Sequence, residues 1–288
     1  TISSMLEDAA SPVRTILTRN ETFGNHLLSF LEASLPFKNI HSILEVGGGY
    51  GYVMRDILQK HPQLKTAMLD ISPILLSKQK ETLHNHKVIY IEKNFFNCEN
   101  SFIDTFDCIL FNENIGDFPT IANISKDHLH ASCDQQIFDT IRIIDTYELK
   151  LAFNSKNETN INIGALLALE KICKRNIPFI YMSEHSCEAA TPDAFKGKVD
   201  INPSEIPERI SLKGHDEYTI NFSHLESIGH FYGYTIKRGQ YIDFIDIEMN
   251  DKINFILTSC SSKEEHEVIR HFVEDLIKYE FLILCRAC

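Results

Sequence analysis

The sequence predicts an α/β fold built on a mostly parallel sheet with helices on both faces. Three observations carry that expectation. First, Ile43-Leu44-Glu45-Val46 is an apolar, partly β-branched run that reads as a buried strand. Second, this run passes into Gly47-Gly48-Gly49-Tyr50-Gly51 and then into Val53, Ile57 and Leu58 at helical spacing. Glycines there permit a tight turn at which a ligand approaches bare backbone. Third, apolar runs of strand length alternate with helical stretches down the chain, as βαβ units require.

The elements follow in order. Ser11-Pro12 reads as an N-cap with a first-turn proline, opening a short helix through Leu17. Asn20 is placed to cap the next helix, whose stripe is Phe23, Leu27, Leu28 and Leu31 and which Pro36 ends. Residues 1–40 are thus expected to form a helical cap, either over a ligand pocket or along a sheet edge. Residues 41–288 are expected to form the main domain. Thr66 to Asp70 is a second strand ending in an acid about twenty residues past the glycine turn, which in a βαβ unit brings the carboxylate to the ligand crevice. Ser72-Pro73 opens a helix to about His84. Lys87 to Ile91 is a third strand, followed by Asn94 and Phe95. Phe106 to Phe111 is a fourth, ending in Asn112-Glu113-Asn114-Ile115-Gly116-Asp117.

Asp134 to Leu151 shows helical spacing, Asn154 to Asn162 reads as a polar linker, and Gly164 to Lys174 looks helical. Pro178 to Met182 is a fifth strand leading into Ser183-Glu184-His185. An excursion or lid-like loop is expected around 187–213. A helix from Phe222 ends at Gly233. Tyr234–Arg238 and Tyr241–Ile247 alternate like a pair of strands. Glu264 to Tyr279 is an amphipathic helix, and Phe281 to Cys285 a short apolar tail.

Composition narrows the function classes. The formal net charge is −12, which disfavours non-specific nucleic-acid binding because that rests on Lys and Arg neutralising phosphates. No apolar run reaches membrane-spanning length, so no membrane partner is expected. Eight cysteines are scattered through a large chain with no basic-then-apolar leader, which points to free thiols in a reducing, cytoplasmic setting. Cys285 and Cys288 form the one close pair, with no second pair to complete a zinc site. No metal is expected.

The glycine turn does not close as a dinucleotide fingerprint. A G-x-G-x-x-G frame read from Gly47 puts Tyr52 in the last position, and read from Gly49 it puts Met54 there. The stretch instead fits Glu-x-Gly-x-Gly-x-Gly, which resembles the first motif of class I S-adenosylmethionine (SAM) methyltransferases. Asp70-Ile71-Ser72-Pro73-Ile74-Leu75, continuing to Gln79 and Leu83, resembles a segment of the MidA-like methyltransferases. Phe23-Gly24, the Asn112-Glu113 turn with Asp117 and Pro119, and the run from Gly214 to Gly233 resemble further elements of that family. Two departures fall on the acceptor side: Gly116 interrupts the turn's spacing, and Ser183-Glu184-His185 stands where the family has Asp-Tyr-Gly.

The resemblance implies a Rossmann-like, seven-stranded sheet and a SAM-dependent methyltransferase. Its cofactor residues would be Glu45, Gly47, Gly49, Gly51, Asp70, Ile71, Asn94, Phe95 and Asn112. Glu45 suits the ammonium of the methionine moiety, Asp70 the ribose hydroxyls, Asn94 the adenine amino group and Phe95 the adenine ring. Glu113, Asp117 and His185 are the candidate catalytic groups, although a His at that position is more often a packing or hydrogen-bonding residue. The acceptor is a protein side chain, arginine in the family, or a small molecule through an N or O nucleophile. A homodimer is compatible with this reading, and so is a non-enzymatic binding or assembly role for the same fold.

Overall fold

The structure is a computed structural model and describes residues 1–131, 135–259 and 261–286. The expected helix start at Asp134 and the Cys288 member of the cysteine pair lie outside these residues.

The chain opens with α1 (Ile2–Met5) and a 3₁₀ turn at Pro12–Ile16, where a longer helix to Leu17 was expected. Next come α2 (Phe23–Ser34), β1 (Ser42–Val46), α3 (Tyr52–Lys60), β2 (Lys65–Asp70), α4 (Pro73–Thr82) and β3 (Val88–Glu92). They are followed by α5 (Asn100–Ile103), β4 (Cys108–Asn112), a 3₁₀ turn at Ile115–Asp117, β5 (Ile121–Ser125), α6 (Lys126–Ala131) and α7 (Gln135–Thr146). The second half holds β6 (Glu158–Ile161), α8 (Ile163–Lys174), β7 (Phe179–His185), β8 (Arg209–Ser211), β9 (Asp216–Tyr218) and α9 (Phe222–Phe231). It closes with β10 (Tyr234–Gln240), α10 (Asp251–Thr258), α11 (Glu264–Lys278) and β11 (Tyr279–Arg286).

Seven strands form one sheet in the order β10-β11-β7-β4-β1-β2-β3. The five from β7 to β3 are mutually parallel, and β11 runs antiparallel to both its neighbours. Side chains alternate between two cores, as strand geometry demands. Tyr181 and Ile283 join α2, α3, α10 and α11 on one face. Ile180, Met182, Leu282 and Leu284 join α8 and α9 on the other. The N-terminal residues Ile2, Leu6, Phe23 and Leu27 are part of the first of these cores.

Several elements differ from the sequence expectation, each for a local physical reason. Thr22, not Asn20, caps α2: its hydroxyl accepts the Asn25 N–H at 3.4 Å and donates to Asp56 at 2.5 Å. The Asn20 side chain is taken by Arg14 at 2.5 Å. The supposed linker at 154–162 contains β6, which pairs with β5 in a separate two-stranded ladder. Tyr241–Asp243 is a 3₁₀ turn closed by Asp243 accepting the Gln240 N–H, so β10 has no partner there. Its partner is the supposed C-terminal tail, which is the strand β11 wedged between β10 and β7.

Leu282 is fully buried within that strand, whereas Ile89 on the edge strand β3 is 59% exposed. Leu282→Ala is expected to cost about 2–5 kcal/mol of unfolding free energy in a denaturant titration, through lost transfer and a residual cavity. Ile89→Ala should stay within about 0.5 kcal/mol of the parent.

Candidate functional site

The carboxyl ends of β2, β1, β4 and β7 lie side by side in the sheet, and each delivers an acid: Asp70, Glu45, Glu113 and Glu184. A ligand crevice is expected at this end of such a sheet.

Glu45, one residue before the end of β1, is 1% exposed, and burial pushes its carboxyl up to about 8, with the charge of Asp70 adding to the effect. The turn that follows is held in left-handed backbone at Gly47 (φ 63°) and Gly49 (φ 52°), a region that favours glycine. A side chain at Gly47 would also collide with the amide of Asn114, which donates to the Val46 carbonyl. Space beside Gly49 is open.

Asp70 accepts the Ser72 N–H at 2.9 Å and the Gln79 side-chain amide at 3.1 Å. The same Gln79 nitrogen lies 3.1 Å from the Gly49 carbonyl, so one buried glutamine from α4 ties the acid to the glycine turn. Burial raises the Asp70 pKa despite these donors. Ile71 beside it is 71% exposed at the rim. Asn94 is exposed and caps the 3₁₀ turn at Phe95–Asn97, accepting the Phe96 N–H at 2.9 Å. The Phe95 ring, expected to lie against a ligand, packs inward: it is 3% exposed and sits edge-on to Phe111 at 5.2 Å.

Asn112 and Glu113 meet the turn from the other side. The Asn112 amide oxygen lies 3.2 Å from the Ser183 hydroxyl, which accepts from Tyr241 at 2.8 Å. Glu113 has φ 53°, which swings its side chain out of the strand direction. Its Oε2 accepts the Ile2 N–H at 3.1 Å, while Oε1 is shielded from solvent and has no hydrogen-bond partner among the described residues. Burial raises its pKa to about 7, against the lowering effect of the Ile2 and Ser3 N–H groups. Glu45 Oε2 is equally shielded and unpartnered. Glu45, Gly47, Gly49, Asn112 and Glu113 line one cavity of about 130 Å³, roofed by Ser3 and Ser4. A larger cavity of about 540 Å³ at the N-terminus of α9, between Lys150, Glu188 and His224, holds none of these groups.

Glu184 is 4% exposed and accepts N–H groups from Gly116 at 3.2 Å and His185 at 2.9 Å. Burial still raises it to about 8. The His185 ring lies against Tyr279, with centroids 3.8 Å apart, and its Nε2 is 3.8 Å from Asp275. Asp117 does not line the cavity formed by Glu45 and Glu113. It faces the β8–β9 hairpin, 3.1 Å from His215.

Sequence reading missed Gln79 as a site residue, together with Tyr241, Tyr279 and Asp275. A glutamine standing in an apolar helical stripe was the one available signal. The others reach the crevice through contacts between distant segments.

Residues 19–135, under half of the chain, match the model of an O-methyltransferase domain. That stretch runs from α2 past β5 and builds the glycine turn, Asp70 and Glu113. No curated protein matches the chain in sequence. Among solved structures, an uncharacterised superfamily protein from Burkholderia thailandensis is 12% identical with a TM-score of 0.54, over 96% of this chain and 81% of its own. The plantazolicin methyltransferase in complex with SAH is 14% identical with a TM-score of 0.46, over 99% and 89%. An O-methyltransferase family protein from Burkholderia thailandensis is 11% identical with a TM-score of 0.42, over 92% of this chain but only 58% of its own length. At 12% identity and a TM-score of 0.54, the first of these is a likeness of fold. No helix among the described residues is long and apolar enough to cross a membrane.

The raised carboxyl groups make stability pH-dependent. Glu184 has a folded-state pKa of about 8 against an ordinary 4.5. Its protonated form is favoured by the fold, so its contribution is complete below about 4.5 and is lost as pH rises toward about 8. Relative to Glu184→Gln, the melting temperature of the parent should therefore fall steadily across that window. A constant difference from acid to neutral pH, measured calorimetrically, would contradict the assignment.

Proposed function

We propose that this chain is a SAM-dependent methyltransferase acting on an N or O nucleophile. The observation that carries this reading is the pair of shielded, unpartnered oxygens, Glu45 Oε2 and Glu113 Oε1, on residues lining one cavity at a glycine turn. Burying carboxylates without partners is costly, and a cationic ligand removes the cost. The methionine end of SAM carries both an ammonium and a sulfonium.

The residues divide the work along the strand ends. Glu45 holds the ammonium, and the bare backbone of Gly47, Gly49 and Gly51 lets the ligand lie close. Asp70, with one donor already on each oxygen, keeps lone pairs for the ribose hydroxyls. Ile71 and Asn94 border the adenine end, with Phe95 steadying that loop from below. When bound, SAM supplies an electrophilic methyl group that is transferred by in-line displacement. Glu113, with a pKa near 7, is suited to take the proton from the attacking N–H or O–H, since a base works best near the operating pH. Glu184 and His185 shape the acceptor side, and Asp117 stands at its mouth. Positioning supplies most of the rate.

The MidA-like reading is supported by the role of Gln79. The acid-x-Ser-Pro-x-Leu…Gln segment is one structural unit here, in which Ser72 caps α4 and Gln79 ties Asp70 to the turn. The crowding of carboxyl groups on the acceptor side favours an acceptor that is cationic or carries several N–H groups, an arginine side chain or a small amine.

Calorimetry with SAM and with S-adenosylhomocysteine tests the reading directly. Asp70→Ala should weaken both ligands by about 10–100-fold, the loss expected for hydrogen bonds to a charged group. Because a bound cation lowers the pKa values of Glu45 and Glu113, SAM binding near pH 7 should release protons. The binding heat should then depend on the buffer's ionisation enthalpy. No heat with either ligand at millimolar concentration would remove the cofactor reading. Glu113→Gln should keep cofactor affinity within about tenfold while lowering turnover at least about 100-fold, within the range for a lost general base.

A further inference from the structure

Beside the turn after β4, a histidine and two carboxylates converge from separate parts of the chain. Asp117 comes from the turn after β4, and His215 and Glu217 come from the β8–β9 hairpin. His215 Nε2 lies 3.1 Å from Asp117 Oδ1 and 3.3 Å from Glu217 Oε1. One donor atom from each residue lies within 4.8 Å of the other two. Around a tetrahedral ion with bonds of about 2.0–2.2 Å, donor atoms stand about 3.3–3.6 Å apart. The cluster therefore needs only small side-chain rotations to close on an ion.

The backbone fixes the two halves against each other. A side chain on Gly116 would come within 2.9 Å of the Tyr218 carbonyl, so the turn and β9 are in direct contact one residue from their respective ligands. The hairpin pairs Ile210 with Glu217 and Ser211 with Asp216, and the Leu212 N–H closes it on the His215 carbonyl at 3.0 Å. Its charges are arranged unequally. Asp216 is matched by Arg209 at 2.6 Å. Among the described residues, the ion pairs of Asp117 and Glu217 are to His215 alone. Two carboxylates sharing one imidazole hold a surplus of negative charge that a divalent cation would neutralise.

We propose that Asp117, His215 and Glu217 bind one divalent transition-metal ion, for which zinc is the best match to an imidazole nitrogen and two carboxylate oxygens. The ion fastens the β8–β9 hairpin to the turn after β4 and leaves a further coordination position for water. This assignment stands apart from the methyltransferase reading, because it requires neither cofactor nor turnover.

The test is a zinc chloride titration of chelator-stripped full chain by calorimetry, with hydrogen exchange followed over residues 209–218. Saturable binding of one zinc per chain at roughly micromolar affinity or tighter is expected, with slowed exchange in the hairpin. His215→Ala and Asp117→Asn, both at exposed positions and so expected to fold, should weaken binding at least about tenfold and abolish the slowed exchange. Cys285→Ser should bind as the parent does, which separates this site from adventitious thiol ligation. Parent affinity weaker than about 100 µM, parent-like zinc binding by His215→Ala, or tight binding without hairpin protection would each overturn the proposal.

Discussion

Water is largely kept from the acids at the ends of four neighbouring parallel strands, and much of the molecule is arranged around that exclusion. Asp70, Glu45 and Glu184 are each no more than 5% exposed, and the Oε1 of Glu113 is shielded too. Parallel strands bring their carboxyl ends to one line, so four acids at those ends must be neighbours. The chain handles the resulting cost unevenly. Asp70 and Glu184 are given N–H donors from backbone and from Gln79. Among the described residues, one oxygen of Glu45 and one of Glu113 are given none. Solvating some of these acids and starving others is what gives the crevice a cation-seeking end.

The roof over that end depends on the same groups. The Ile2 N–H donates to Glu113, while Ile2 and Leu6 anchor the segment in the core shared with α2 and α11. A backbone amide at the acceptor side is itself an N–H donor directed at the proposed base, the kind of group an acceptor would present. Buried tyrosines also lie close to Glu113. Tyr241 stacks on Tyr279 at 5.0 Å, and Tyr279 lies against His185, so ring contact holds His185, while Glu184 and Asp275 stand 3.6 and 3.8 Å from its two nitrogens, beyond hydrogen-bond distance.

Legibility in the sequence followed the range of the interactions. The glycine turn, the strands β1 to β4 and the acids that end them are local patterns: an apolar run, then a polar stop. Ser72 as a cap and Gly233 as a helix terminator, with φ 77°, are equally local. What was missed is non-local. Residues 279–286 follow α11 with no intervening turn, and as an isolated apolar run they carry no mark of which strand they will join. The pairing of β5 with β6 spans a helical excursion, and the hairpin carrying His215 is too short to show alternation. Within the site, the acids were visible because each residue's position already says where its strand ends. Their partners Gln79, Tyr241 and Tyr279 were hidden because they arrive from other elements.

The placement of β11 has a consequence for how the molecule is made. Strands β3, β2, β1, β4 and β7 can each pair with a strand already synthesised as the chain emerges. The outer edge of β7 cannot be covered until residues 279–286 have left the ribosome, almost a hundred residues after β7 itself. Until then the nascent chain presents a long, bare, apolar sheet edge, the kind of surface that pairs with other chains. Completion of the sheet is therefore a late, long-range event.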